Sequence, residues 1–468
     1  MISAHPVPAQ IAPAGNHWFV ARISSVAALG GLLFGYDTAV ISGAIGLLQR
    51  HFQLSPAATG WLASCALAGC VVGAAFAGMV SDALGRRTAL LISSIAFLLS
   101  AIGTAFASGI TTFVVFRIVG GLGIGAAAMV SPMYIAEVSP PRWRGRLVTL
   151  NQLALVFGML LIYFVNYKIA SLGSEEWNLL SGWRWMFASG AAPALLLFIM
   201  LYFVPETPRF LLLKGREHEA RSVMMRIENA SVADSALRQM HAAQGQNAEN
   251  RMPQGARRIG LTGIILAILQ QVTGINVFLY YAPELFKNAG VSSSNALMQT
   301  VILGGINVCL TIFSMALVDR LGRKPLWIWG TIGMGCSLCA VGFAFLIPYT
   351  GNALLLFTLA YIAFFACSVG PVTWVILSEI FPTQFRGRFM SLATVALWIA
   401  NFIVSQTFPM LDQSPWLTSR FHHGFPFFLY AIFCFLGAWF GGTQLPETKG
   451  KTLEEVEQWW TVRTLRNQ

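Results

Sequence analysis

Charged side chains are scarce in this chain. Only 10% of its 468 residues are Asp, Glu, Lys or Arg, whereas 56% are hydrophobic. Because soluble globular proteins carry about 25% charged residues, this composition excludes a water-soluble enzyme, a disordered chain and a disulfide scaffold. We therefore expect a membrane protein, in which many of the 44 glycines allow transmembrane helices to approach one another closely.

The motifs of common enzyme chemistry are also missing. The sequence has no Walker motif and no Ser/His/Asp set, and its seven histidines fall in predicted termini and loops. The run Gly120–Gly125 imitates a nucleotide-binding loop, but it lies inside an apolar segment, which favours helix packing. Cys336 and Cys339 have redox spacing without a second cysteine pair, which again favours packing. We expect neither an enzyme nor a cofactor or metal site.

Twelve apolar segments are long enough to cross a membrane, since about 20 helical residues span the hydrocarbon core. The chain is therefore predicted to be an all-α membrane protein. The predicted spans are 18–48, 57–80, 88–107, 111–136, 147–171, 184–205, 259–288, 297–318, 325–347, 353–381, 388–411 and 424–445.

The basic residues predict the orientation of these spans. The net charge of +11 arises from Lys and Arg residues that lie between apolar segments, as topology markers do, so it does not indicate nucleic-acid binding. With the N-terminus in the cytoplasm, 23 of the 30 Lys and Arg residues fall on the cytoplasmic side and 5 on the other. Both termini are therefore expected in the cytoplasm.

Three motif pairs recur at offsets of 237, 242 and 241 residues, which indicates a six-helix unit duplicated in parallel. The pairs are Asp82–Arg87 with Asp319–Lys324, Glu137–Arg146 with Glu379–Arg388, and Pro205–Thr207 with Pro446–Thr448. The predicted organisation is a tail (1–17), a six-helix half (18–205), a cytoplasmic linker with short helices (206–258), a second half (259–445) and a second tail (446–468).

Two charged residues, Asp37 and Arg117, lie deep inside predicted spans. A charge at mid-helix costs about 2.5–3.5 kcal/mol on insertion scales, so each needs a reason to be there. Helix rise places both in the outer half of the membrane, at depths that permit them to pair. The pair is either a static structural ion pair or a proton switch, in which Asp37 alternates between an apolar cavity and the neighbouring arginine.

Side-chain amides and aromatic rings recur in the predicted spans of both halves. Amides both donate and accept hydrogen bonds and aromatic rings offer an apolar surface, so this set suits a ligand that has hydroxyl groups and an apolar face. Any single amide can equally serve a hydrogen bond between helices. Gly274 can break the seventh span beside this set. The set comprises Gln152, Gln270, Gln271, Asn276, Asn307, Trp374, Trp398 and Asn401.

These motifs give the chain a resemblance to the sugar porter family of the major facilitator superfamily, and to its bacterial proton–sugar symporters. The resemblance covers nearly the whole chain. It is carried by Gly35–Asp37, Asp82–Arg87, Arg117–Gly121, Glu137–Arg146 with the preceding Ser131–Ala136, Pro205–Arg209, Gln270–Asn276, Asp319–Lys324, Trp374–Glu379 and Pro446–Gly450. It implies the major facilitator fold, a bacterial inner-membrane location and import of a monosaccharide by alternating access.

The resemblance also assigns roles to residues. Proton-coupled members carry Asp at the position of Asp37, where facilitators often carry Asn, so Asp37 and Arg117 are expected to couple transport to protons. Positions matching the sugar contacts of the family are Gln152, Gln270, Gln271, Asn276 and Trp374, and the same cavity is expected to include Phe34, Tyr280, Asn307 and Trp398.

Two positions depart from the pattern of the bacterial symporters. Met159 and Leu397 stand where that pattern has glutamines, so two amides are lost. Hexose-transporting relatives also tend to be apolar at the first position. We therefore expect a hexose, glucose or galactose, while a pentose, xylose or arabinose, remains the alternative.

Charged residues cluster at the cytoplasmic ends of the spans in both halves. Acidic side chains contribute little to topology, so their presence here needs another explanation. We expect ion pairs between the halves that close the cytoplasmic side and break when it opens. The expected gate comprises Asp82, Arg86, Arg87, Glu137, Arg144, Glu206, Asp319, Arg323, Glu379, Arg386 and Glu447.

Together, these patterns predict a monomeric transporter in the lipid bilayer whose partners are a monosaccharide and a proton. A facilitator without proton coupling is the first alternative. A membrane sugar sensor is the second, although sensors of the family usually carry a long cytoplasmic tail and only 23 residues follow Leu445 here.

Overall fold

This computed structural model describes residues 16–140, 143–228, 234–235, 256–347, 351–381, 385–450 and 455. Throughout these ranges the regular structure is helical. In the described part of the chain, twelve helices are long and apolar enough to cross a membrane, which confirms the predicted fold class.

The helices follow one another with short connections. The first half consists of α1 His17–Ala39, α2 Ile41–His51, α3 Pro56–Leu84, α4 Arg86–Ala105, α5 Ile110–Val138, α6 Arg144–Leu172, α7 Glu175–Trp177, a π-helix Asn178–Gly182, α8 Trp183–Ala188 and α9 Ala191–Leu201. Two short helices follow, α10 Pro208–Leu213 and α11 Glu217–Ile227. The second half consists of α12 Ala256–Val272, α13 Ile275–Asn288, α14 Ser293–Leu321, α15 Arg323–Ala344, α16 Gly351–Phe364, a π-helix Phe365–Val369, α17 Gly370–Ile380, α18 Arg386–Asp412, α19 Pro415–Phe421 and α20 Phe425–Gln444.

The sixth span differs from its predicted bounds of 184–205. Its helices begin at Glu175, because the Ser174 side chain accepts a hydrogen bond from the backbone N–H of Trp177 and caps the helix start. They end at Leu201, before the segment that leads to α10. The apolar residues 202–204 therefore follow the helix rather than belonging to it.

Glycines set the distance between the second and fourth spans. A Cβ on Gly121 would lie 1.9 Å from the carbonyl oxygen of Ala66, and one on Gly125 would lie 2.3 Å from that of Cys70. In the other direction, a Cβ on Gly69 would lie 2.2 Å from the carbonyl oxygen of Ile118. The glycine run 120–125 therefore serves backbone-to-backbone packing, as its apolar setting predicts.

The seventh span is broken at Gly274, as expected. Its φ of +86° lies in the left-handed region, which ends α12 and starts α13 in a new direction. The ring of Tyr430 packs against it, so that a Cβ at this position would lie 2.5 Å from Tyr430 Cδ2. The break gives α13 an orientation of its own within the second half.

We call the side of the molecule that carries α10 and α11 the linker face, and the other end of the bundle the opposite face. The helix α11 packs on the start of the first span, where the guanidinium carbon of Arg226 lies 4.1 Å from the centre of the Phe19 ring. Val223 and Ile227 are the buried side of this amphipathic helix. The remainder of the predicted linker lies largely outside the described residues.

The break at Gly274 yields a matched pair of variants. Gly274→Ala is expected to lower the melting temperature in detergent, since it adds both left-handed strain, about 1–2 kcal/mol, and a clash with Tyr430. Gly290 has nearly the same φ, +87°, with open space around it, so Gly290→Ala carries the strain alone. Equal melting temperatures for the two variants would show that the Tyr430 contact does not hold the break in place.

Candidate functional site

The two charged residues predicted inside the membrane are paired. Arg117 Nη1 on α5 donates to Asp37 Oδ2 on α1 over 3.0 Å, and Arg117 Nη2 donates to the Asp37 carbonyl oxygen over 3.2 Å. The Arg117 side chain is 1% exposed and that of Asp37 is 12% exposed. The guanidinium also lies over the ring of Phe187, 5.5 Å from its centre. One guanidinium thus binds both the side chain and the backbone of Asp37.

The carboxylate of Asp37 is the more accessible partner of this pair. Its neighbour Gly120 has no side chain, and a Cβ there would lie 3.3 Å from Asp37 Oδ2. In the second half, the Tyr280 hydroxyl lies within electrostatic range of both Asp37 and Arg117. The pair belongs to the first half, yet it lies where the second half approaches it.

Three amides at the break of the seventh span form a chain of hydrogen bonds. Gln270 Nε2 donates to the carbonyl oxygen of Gly370 over 3.3 Å, and Gln271 Nε2 donates to Gln270 Oε1 over 3.3 Å. Beyond the break, Asn276 Nδ2 donates to Gln271 Oε1. All three amides are buried. They therefore satisfy one another in the absence of a ligand, and a ligand with hydroxyl groups can take over these bonds.

Aromatic residues link the two halves beside these amides. The rings of Phe34 in the first half and Trp398 in the second lie 5.4 Å apart. Trp398 Nε1 is buried and has no hydrogen-bond partner among the described residues. A ligand hydroxyl would satisfy this N–H, since a buried unpaired donor costs about 1–3 kcal/mol.

Asn401 is a polar residue of this region that the family resemblance did not assign. It accepts a hydrogen bond from Ser405 Oγ over 3.1 Å, and it lies near the hydroxyl of Tyr280. It lies one helical turn beyond Trp398, and this spacing from Trp398 is the signal that the sequence offers for it. Its position brings the eleventh span close to α13.

The remaining predicted sugar contacts lie on other helices. Gln152 and Trp374 are half-buried in the fifth and tenth spans, and Asn307 is buried in the eighth. Their side chains form no hydrogen bond with any residue that the structure describes. The structure thus joins Gln270, Gln271 and Asn276 directly, and it leaves these three with polar groups for a ligand.

The halves are bonded to each other at the opposite face. Ser64 Oγ donates to Gln406 Oε1 over 3.0 Å, and Gln406 Nε2 donates to the carbonyl oxygen of Ala57 over 2.9 Å. Nearer the amides, the Tyr163 hydroxyl donates to the carbonyl oxygen of Leu279 over 2.8 Å. These bonds hold the opposite face closed.

At the linker face, the motifs that repeat in the two halves form the same arrangement of hydrogen bonds in each half. In the first half, Glu206 accepts from the backbone N–H groups of Arg86 and Arg87, each at 3.1 Å, where α4 begins. In the second half, Glu447 accepts from those of Arg323 and Lys324, at 3.2 and 3.1 Å, where α15 begins. These N–H groups have no partner within their own helix, so each glutamate caps a helix start.

Ion pairs add to each of these two caps. We call each cap with its ion pairs a bracket: Arg86, Glu137 and Glu206 in the first half, and Arg323, Glu379 and Glu447 in the second. Arg86 Nε lies 3.1 Å from Glu137 Oε2, and Arg323 Nη2 lies 3.1 Å from Glu379 Oε1. Arg86 also pairs with Asp82 over 3.0 Å. Burial raises the pKa of Glu206, although its backbone hydrogen bonds oppose that shift.

Among the residues that the structure describes, the ion pairs given above each join residues of the same half. Arg144 donates to the carbonyl oxygen of Ala136, whereas Glu137 pairs with Arg86. A Cβ on Gly145 or Gly387, in the first turns of α6 and α18, would meet no atom within 4 Å, so these two positions are not packed against another segment. The side chains of Asp319 and Arg386 lie outside the described residues. Ion pairs between the halves stay a prediction for the state in which the linker face is closed.

Comparison with known proteins gives consistent matches over the full chain. The family described as sugar (and other) transporters matches residues 23–460. The D-xylose-proton symporter of Escherichia coli (strain K12) is 43% identical over 481 residues, covering 97% of this chain and 98% of that protein. The arabinose-proton symporter of Bacillus subtilis (strain 168) is 39% identical, covering 94% of this chain and 95% of that protein.

Among solved structures, the chain resembles a partially occluded inward open conformation of the xylose transporter XylE from E. coli. The TM-score is 0.85 at 41% identity, covering 93% of this chain and 100% of that one. This likeness agrees with the hydrogen bonds between the halves at the opposite face.

Removal of a helix cap tests the bracket at the linker face. Glu206→Ala is expected to cost about 1–2 kcal/mol of stability, because two N–H groups at the start of α4 lose their acceptor. Glu206→Gln keeps one acceptor oxygen and is expected to lose less. Melting temperatures in detergent measure both, with Glu176→Ala, an exposed carboxylate, as the control. A Glu206→Ala variant as stable as Glu176→Ala would contradict the capping role.

Proposed function

The chain belongs to the sugar transporter family, and from that premise we propose that it imports a monosaccharide together with a proton by alternating access. The observation that carries the proton part is the Asp37–Arg117 pair, in which a carboxylate that is 12% exposed binds a buried arginine. The amide chain Gln270–Gln271–Asn276 carries the sugar part. The family relatives named above as proton symporters support both parts.

The proton enters through a change in the partner of Asp37. With Arg117 at 3.0 Å, the carboxylate is stabilised in its charged form. When the arginine moves away, burial favours the protonated form instead. Rocking of the halves that separates the two groups therefore loads a proton, and rocking that rejoins them releases it.

Coupling to a proton supplies enough energy to concentrate the sugar. One proton is worth about 2.3 kcal/mol per 100 mV of driving force. At about 150 mV this supports a gradient of a few hundredfold. A facilitator reaches no gradient at all, so accumulation is the property that separates the two.

Sugar hydroxyls replace the bonds that the amides make with one another. Gln271 and Asn276 flank the break at Gly274, so a ligand bound there contacts both α12 and α13. Trp398 and Phe34 supply the apolar surface for the ring face. A bound ligand would thereby contact the first half through Phe34, and the second half through Trp398, α12 and α13.

The orientation follows from the charge distribution. We place the linker face and both termini in the cytoplasm of a bacterial cell, with the protein in the inner membrane as a monomer. The conformation is then open to the cytoplasm. In the outward-open state, the brackets at Arg86 and Arg323 approach each other and the predicted ion pairs between the halves form.

Two apolar residues, Met159 and Leu397, support a preference for one class of sugar over another. Met159 and Leu397, the two positions that depart from the symporter pattern, are both buried. Neither side chain can bond a hydroxyl group. A hexose remains the preferred substrate, and competition between glucose, galactose, xylose and arabinose in the assays below decides it.

Asp37→Asn is expected to abolish uphill uptake while retaining counterflow exchange of labelled sugar, because asparagine preserves the shape but cannot carry a proton. Sugar-induced alkalinisation of a weakly buffered cell suspension is expected to disappear with it. Glu176→Gln, an exposed carboxylate at the opposite face, is the control and should behave as wild type. If Asp37→Asn concentrated sugar normally, the proton role would be excluded. Sugar entry without alkalinisation in the wild type would make the chain a facilitator.

Gln271→Ala is expected to weaken sugar binding about tenfold without loss of folding, which corresponds to one hydrogen bond of about 1–1.5 kcal/mol. Titration of purified protein with sugar measures the affinity, and the melting temperature checks the fold. An unchanged affinity would remove Gln271 from the site.

A further inference from the structure

A carboxylate at the opposite face ties three segments of the second half together. Asp412, the last residue of α18, is 5% exposed. Its Oδ2 accepts from Asn288 Nδ2 over 3.3 Å, and its Oδ1 lies 3.0 Å from His423 Nδ1. Its carbonyl oxygen accepts from the hydroxyl of Thr418 over 3.0 Å. We call the set Asn288, Asp412 and His423 the outer clasp.

The outer clasp holds one end of the helix that carries part of the sugar site. Asn288 is the last residue of α13, which begins directly after the break at Gly274. Asn276 and Tyr280 lie on the same helix, and its Leu279 carbonyl bonds to Tyr163 of the first half. Because the left-handed break separates α13 from α12, the position of α13 depends on ties such as the one at Asn288.

Tyr430 connects the clasp with the other end of α13. Its ring packs on Gly274, while its hydroxyl lies within electrostatic range of Asp412. The hydroxyl is buried and has no partner among the residues that the structure describes. Tyr430 therefore lies between the start of α13 and the Asp412 carboxylate.

The loop that supplies His423 has an unusual backbone. His422 and His423 are consecutive residues with positive φ, +46° and +66°. Left-handed conformations of residues other than glycine cost of order 1–3 kcal/mol each and persist where the surroundings enforce them. Here the enforced conformation directs the His423 ring at Asp412, while His422 makes no described side-chain bond.

We propose that Asp412 is a positioning residue that holds α13 in its sugar-binding orientation, and that His423 makes this hold depend on the pH outside the cell. The titrating group is an imidazole at the external face, so acidification outside strengthens the clasp. The kinetic part of this proposal rests on the proposed sugar transport, whereas the structural part does not.

The direction of the pH effect follows from the clasp. Its bond to Asp412 raises the pKa of His423, and partial burial offsets some of that rise. The ion pair is therefore fully present below the ordinary histidine value of about 6.5 and is lost as pH rises through the raised pKa. Asp412 is the charged group bound to the ring. The groups on neighbouring segments are Lys287, paired with Glu284; Arg420, placed over the Trp416 ring; the apolar ring of Phe345; and the Tyr430 hydroxyl.

Hydrogen exchange of α13 tests the structural part. After correction for intrinsic rates, peptides from the Asn288 end of α13 in the wild type are expected to exchange about threefold faster at pH 8.5 than at pH 6.0. His423→Gln keeps a donor to Asp412 but no charge, and Asp412→Asn keeps an acceptor for Asn288, so both are expected to lose the pH dependence. His422→Gln is the matched control on the same backbone and should behave as wild type.

Counterflow in an Asp37→Asn background tests the kinetic part, since transport there no longer depends on the coupled proton. The external KM for sugar is expected to rise about threefold between pH 6.0 and 8.5, and to stay constant when His423→Gln is added. A pH dependence of exchange or of KM that survives in His423→Gln, or one that is absent from the wild type, overturns the proposal. Absence of counterflow in both the wild type and the Asp37→Asn variant would instead refute the proposed transport, and the hydrogen-exchange result would still test the structural part.

Discussion

The bond between Arg117 and Asp37 is the interaction on which the rest of this structure depends. Both charges lie inside the membrane, where either one alone is costly, and each makes the other tolerable. The guanidinium also binds the Asp37 backbone, so the pair fixes the first and fourth spans to each other. The glycines of the fourth span bring the second span into the same packed unit. The first half is thereby built around the carboxylate that we propose takes up the proton.

The second half is organised by a break rather than by a charge. Gly274 ends α12 in a left-handed turn, and α13 begins with its own direction. The amides on both sides of the break bond to one another, while Tyr163 bonds to α13 further along. A helix held by a few side-chain bonds can be repositioned by a ligand or a titrating group that competes for them. The proposed sugar site and the outer clasp include residues near the two ends of this same helix.

The charged residues that repeat at the linker face do more than mark one side of the membrane. They cap helices and form ion pairs within each half. In each half, a glutamate after the last span caps the third span of that half, and an arginine at that cap pairs with the glutamate of the fourth span. In each half these contacts tie the third and fourth spans to the segment that follows the sixth span. Rigid halves are a requirement of rocking, because a ligand can bias two states only if the parts between them move as units.

The number of spans, the two halves and the pairing of Asp37 with Arg117 were predictable from sequence, because hydrophobic length, repeat offsets and the cost of a charge in lipid are local or one-dimensional constraints. The break at Gly274 was predictable for the same reason. The partners of Glu137, the bond of Tyr163 to Leu279 and the outer clasp were not. Each joins residues from different helices, and the choice between Arg86 and Arg144 for Glu137 depends on the rotation and approach of packed helices. The open or closed state of each face is likewise a property of tertiary contacts, since one sequence must support both states.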